Sequence, residues 1–106
     1  MTGNHIFKLD LKTELGALAP NAILSQTLVK NDQLEVTLFQ FAAGQELSEH
    51  TSAFPAVVHI LQGEGNMTLG KDLVEIQAGS WAYMPPDLPH SLKTKTPLIM
   101  LLTLRK

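Results

Sequence analysis

From residue 22 to residue 104 the chain is cut every few residues by turn-forming clusters: KNDQ, AAGQ, GEG, GKD, AG, PPDLP and KTP. Between them lie AILSQTLV, LEVTLFQF, AVVHILQ, NMTL, LVEIQ, SWAYM, HSLKT and LIMLLTL. In LEVTLFQF, Leu34, Val36 and Leu38 alternate with Glu35 and Thr37, the two-residue period of a strand with one face on a core. Short strands punctuated at this spacing specify an all-β sandwich or barrel. Only LKTELGALA, residues 11–19, has helical character, and Gly16 and Pro20 keep it short. The expected organisation is an N-terminal arm over 1–20 and one barrel domain over 21–106, without repeats or a linker.

Two of these segments are apolar on both faces. In AVVHIL, Ala56, Val58 and Ile60 stand against Val57 and Leu61, and LIMLLTL has the same character. A strand with one solvated face alternates, so the outer face of these strands must also be covered. In so small a chain the simplest cover is a second copy. A homodimer is therefore expected, with Phe39, Phe41, His59 or Ile99 at the contact.

Composition excludes several function classes. A chain of 106 residues supports one domain with one core. The formal net charge is −2 and the Lys and Arg residues form no cluster, so neither nucleic acid nor an anionic membrane is an expected partner. There is no cysteine, which removes disulfides, thiolate nucleophiles and Cys-ligated zinc; any metal must sit on His and oxygen. The first residues, MTGNHIFKLD, lack the apolar run of a signal peptide, and PLIMLL is too short to span a bilayer, so a cytoplasmic location is the default expectation.

The histidines carry the chemical interest. His50 and His59 fall in EHTSAFPAVVHILQGEG, and His90 follows PPDLP. The run AAGQELSEHTSAFPAVVHILQGEG, followed by AGSWAYMPPDLPHSLKT, resembles the two sequence motifs of the cupins, small jelly-roll barrels of the RmlC-like, double-stranded β-helix type. The first cupin motif runs glycine, five residues, His-x-His, three or four residues, Glu, six residues, glycine; Gly44, His50 and Gly63 match it. The second runs glycine, five residues, Pro-x-Gly, two residues, His, three residues, Asn; Gly79, Pro85 and His90 match it.

The resemblance implies a divalent-metal site inside the barrel on three histidines and a glutamate. Here Ser52 and Ala56 stand at the second His and the Glu positions, and Asp87 and Thr94 replace the Gly and Asn of the second motif. His59 does not make up the loss: if Ala56 points inward, alternation turns Val58 and Ile60 inward and His59 outward. His5 is expected to be exposed. His50 and His90 remain, with Ser52, Gln40 or Glu46 as oxygen donors in the barrel mouth. Two ligands, at half the roughly 10–16 kcal/mol of a complete zinc site, correspond to a dissociation constant of roughly 100 μM to 1 μM. The cofactor is thus none, or one weakly held Zn, Ni, Mn or Fe.

Three function classes follow. The first is a binding module in which Val36, Leu38, Val58, Ile60, Met67, Leu92 and Met84 line a pocket and His50 and His90 orient a small organic molecule. The second is a metal-dependent cupin enzyme of dioxygenase or isomerase type, or a metal-free one in which His50 or His90 acts as general base. The third is a structural dimer without ligand. Trp81 and Tyr83 read as strand packing residues.

Overall fold

The computed structural model of the chain describes residues 5–106. Nine strands follow a short lead-in: β1 (Ile23–Lys30), β2 (Leu34–Phe41), β3 (Glu46–His50), β4 (Ala56–Gln62), β5 (Gly65–Leu69), β6 (Asp72–Ile76), β7 (Trp81–Met84), β8 (His90–Thr94) and β9 (Leu98–Arg105). They form two antiparallel sheets, ordered β1-β2-β9-β4-β7 and β3-β8-β5-β6, an all-β jelly roll. Of the stretch with helical character, only Leu11–Thr13 turns as a 3-10 helix, with Asp10 Oδ1 accepting from Lys12 N at 3.0 Å. No helix among the described residues is long and apolar enough to cross a membrane.

The inner faces of the sheets meet in one apolar cluster. Phe41, Ala56, Val58, Ile60, Leu98 and Met100 come from the larger sheet, and Met67, Ile76 and Leu92 from the smaller. Each of β4 and β9 contributes every second residue to it, as alternation requires. The opposite face is also shielded: Leu38 is fully buried although its strand neighbours Phe39 and Phe41 face the interior, and Ile99, paired with Gln40, is 5% exposed. Gln40 Oε1 is enclosed on that outer face without a hydrogen-bond partner among the described residues.

Two expectations need correction. Strand β2 was expected to turn Val36, Leu38 and Gln40 into the barrel, whereas Phe39 and Phe41 lie inside, stacked with ring centroids 6.0 Å apart. LEVTLFQF is apolar at both parities, so the alternation of its first half does not set the phase; the larger aromatic pair takes the interior. Phe41 is fully buried and Phe39 partly so, and both face the interior rather than the outer surface. Strand β3 was not among the segments read as strands, although His50 was expected to lie on a strand next to that of His90. Its sequence, ELSEH, has one apolar residue and its burial is correspondingly slight, since it forms the edge of the smaller sheet.

Candidate functional site

Strand β3 enters its pairing with β8 through Glu46↔Lys93 and Leu47↔Leu92, then resumes at His50↔His90. Three residues on β3 therefore span two on β8, which is a β-bulge. The bulge decides the site. Leu47 faces the barrel interior, and strict alternation would turn His50, three residues on, to solvent. The extra residue at Ser48–Glu49 rotates the strand, so that both Leu47 and His50 line the same cavity. His90 needs no such device, because it shares the parity of buried Leu92 and Thr94.

The two imidazoles are cross-strand partners with ring centroids 4.2 Å apart and planes at 61°. Each is held by its own strand: His50 Nδ1 lies 2.8 Å from Ser48 O, and His90 Nδ1 lies 2.8 Å from Leu88 O. A carbonyl oxygen only accepts, so each Nδ1 carries the proton and donates it, and in the neutral ring Nε2 is left as a bare acceptor. This is the outer-shell arrangement that fixes ring orientation and tautomer in histidine ligands generally. His90 is buried, whereas His50 is exposed and stands at the mouth.

The cavity they share measures about 90 Å³, roughly the space of three liquid waters. Its apolar wall includes Val58, Met67, Met84 and Leu92, together with Phe39, Leu47, Met100 and Leu102, which were not expected in it. Ser91 also borders it. Ile60 faces the interior but borders the neighbouring cavity instead. Ser52 is half-buried in the loop after β3, where its Oγ accepts from Phe54 N at 3.2 Å and its carbonyl accepts from Asp87 N at 2.7 Å; it does not border the cavity. Gln40 lies on the far side of its sheet, Glu46 is exposed at the start of β3, and His59 sits on the outer face of β4 opposite Trp81 and Leu101.

Do these residues suit a resident divalent metal? Among the described residues no three His, Cys, Asp or Glu side chains come together as a ligand group. Ala56 is 2% exposed and offers a methyl group where a carboxylate would be required. Two imidazoles without an anionic ligand do not fit a resident metal centre.

With the geometry established, comparison with known proteins places the chain. The sequence profile of the cupin domain matches residues 37–104, more than half of the chain. The chain belongs to the cupin family. A conserved protein of unknown function from Streptococcus pyogenes is 33% identical to this cupin, with a TM-score of 0.85 over 97% of this chain and 90% of its own. A cupin superfamily protein from Desulfitobacterium hafniense is 25% identical, with a TM-score of 0.86 over 96% and 93%. An RmlC-like cupin protein from Desulfovibrio desulfuricans, 22% identical, shares the fold with a TM-score of 0.81 over 95% and 97%. No curated protein matches the sequence.

The second cupin motif keeps its backbone where its side chains have changed. Asp87, at the position of the motif glycine, holds φ at 65°. Its amide reaches back to Ser52 O, tying the loop before His90 to the loop after His50. A left-handed conformation costs an L-residue about 1–2 kcal/mol, less for Asp, and glycine almost nothing. Asp87→Gly is therefore expected to raise stability by up to about 1 kcal/mol after the added unfolded-state entropy is counted. Urea unfolding measures it, and a loss of stability would show that the Asp87 carboxylate contributes more than its backbone strain costs. Thr94, at the motif Asn position, is buried; its Oγ1 donates to Ala42 O at 2.8 Å and accepts from Gln45 N at 2.9 Å, pinning β8 to the loop ahead of β3.

Proposed function

We propose that this cupin binds a small organic molecule in the cavity before His50 and His90, without a resident metal. The observation that carries the reading is the paired Nδ1–carbonyl anchoring. Two rings pre-set with free Nε2 acceptors, bordering one apolar cavity, present two fixed hydrogen-bond acceptors at no ordering cost when a ligand arrives. Three of the walls, Met67, Met84 and Met100, are methionines, whose unbranched chains can repack around a guest.

The test uses ring nitrogens as reporters. In two-bond ¹H–¹⁵N spectra, 1-butanol should shift the Nε2 signals of His50 and His90 together and saturably, while the His59 ring on the outer face stays still. Movement of one ring alone, or of neither, overturns the reading. Elemental analysis of tag-free protein should find Zn, Ni, Mn and Fe well below one per chain. A stoichiometric metal would favour the metal-dependent enzyme instead.

A cytoplasmic homodimer is part of the same reading. Phe39 and Phe41 are interior and Ile99 is already covered by its own chain, so the contact falls on the outer face around Val57, His59 and Tyr83, where Tyr83 is 54% exposed. Light scattering behind a size-exclusion column is expected to give about twice the chain mass at micromolar concentration, and Tyr83→Lys should return the monomer. A wild-type monomer would count against the dimer.

A further inference from the structure

We infer that the ligand of this cupin is a neutral aliphatic alcohol, its single hydroxyl proton donated in turn to the Nε2 of His50 or of His90 and its hydrocarbon chain laid in a second cavity along the seam between the sheets. This rests on the two-histidine reading above and goes beyond it in naming the ligand's chemistry and a second binding region.

The jelly roll is not closed on every side. Strand β7 is the edge of the larger sheet and β6 the edge of the smaller; no ladder joins them, and only the turn at residues 77–80 connects them. Along this seam runs a cavity of about 280 Å³. Its wall is mostly apolar, with Ile60, Leu69, Val74 and Ile76 on the sides and Trp81 of the edge strand at the lip, and Glu75 and Ser80 as its polar members. Its end is firmly built, because Gly79 N donates to Ile60 O at 2.7 Å and Ile60 N donates to Ser80 O at 2.9 Å.

Continuity ties this cavity to the histidines. Val58 and Met67 border both spaces, so the two are separated by one valine and one flexible methionine. Alone, the histidine cavity is far below the roughly 300–1,000 Å³ of ordinary small-molecule sites, and the seam brings the interior into that range. The occupant's chemistry follows from the two ends. At the histidine end the Nε2 atoms accept, so the head must donate; a hydroxyl gives its one proton to one Nε2 at a time, and the two rings share it in turn. Along the seam the wall offers hydrocarbon, and the charged group bordering it, Glu75, is an anion that disfavours an anionic guest. A hydroxyl at one end of a saturated chain meets both conditions.

The experiment compares 1-octanol with 1-butanol on the intact protein. Trp81, the sole tryptophan of the chain, borders the seam but is 65% exposed and pairs with His59 on the outer face, so its emission is read together with the ring signals. Each methylene fully buried tightens binding about fourfold, so four more in a half-open groove should give at least tenfold. The expected result is a saturable blue shift of Trp81 emission with 1-octanol, at least tenfold tighter than 1-butanol, accompanied by movement of the His50 and His90 ring signals. Val74→Asn, at a half-buried groove position, should remove most of that chain-length preference. Equal affinity for the two alcohols, with the ring signals moving, would overturn the seam assignment and leave the two-histidine reading standing. A Trp81 response without ring movement would overturn both the joined site and the two-histidine reading. No response from either reporter would remove both.

Discussion

Gly63→Ala is expected to destabilise the barrel by about 3 kcal/mol or more, a large part of the roughly 5–15 kcal/mol that holds a domain of this size. Gly63 closes the first cupin motif in the turn between β4 and β5, at φ 95°. An alanine there suffers twice. Its conformation costs about 1–2 kcal/mol, and its Cβ would collide with Pro97 O and approach Leu98 Cα to 2.8 Å. Neither strand can retreat. Lys95 N donates to Glu64 O at 2.8 Å and Glu64 N donates to Thr96 Oγ1 at 2.9 Å, so the turn and the start of β9 are bound to each other on both sides of the collision. Gly79→Ala is the control, since Gly79 has the same φ of 95° but nothing within 4 Å of its would-be Cβ. It should lose only the conformational part. At about 4–8 °C per kcal/mol, the midpoint should fall by more than about 12 °C for Gly63→Ala and by clearly less for Gly79→Ala. Equal losses would mean that the β4–β5 turn can move away from β9.

What the sequence makes legible differs from strand to strand, for physical reasons. Turn chemistry is local, so GEG, GKD and PPDLP mark real strand ends without tertiary knowledge. Facing is not local. In AVVHIL, alternation from Ala56 assigns Val58 and Ile60 inward and His59 outward, as the structure has them. In LEVTLFQF both parities are apolar, and only packing against β9 decides that Phe39 and Phe41 go in. The edge strand ELSEH has almost no apolar signature, because its backbone pairing to β8, rather than burial, makes it a strand. Its bulge is equally silent in sequence, yet without it His50 would point away from His90. The family spacing Gly44 to His50 carries that information indirectly: a motif preserves the residue count of a bulge even where periodicity cannot show it.

Ser52→His combined with Ala56→Glu is expected to turn a weak pair of imidazoles into a metal site, raising affinity for Zn²⁺ or Ni²⁺ more than a hundredfold. The two existing ligands are already oriented, each by a 2.8 Å bond from Nδ1 to a backbone carbonyl. By equal sharing of a complete site, two further ligands would contribute several kcal/mol, and a discounted gain of about 3 kcal/mol gives the hundredfold. The two substitutions carry different risks. Ala56 opens β4 on its inner face, opposite Met84, which borders the histidine cavity, so a longer side chain there starts in the right direction. Ser52 lies between strands, where no alternation fixes its aim, and its place rests on the cupin motif alone. The metal-free double variant should be less stable than wild type, because a carboxylate at a position 2% exposed loses water before it gains a cation. Metal should restore that stability along with binding, which separates a rebuilt site from adventitious surface capture. His59→Gln, on the outer face, should leave the affinity unchanged. Calorimetric titration of wild type, double variant and control reads all three. If the double variant binds no tighter than wild type, Ser52 and Ala56 are not the vacated ligand positions; if His59→Gln abolishes binding, the metal was never inside the barrel.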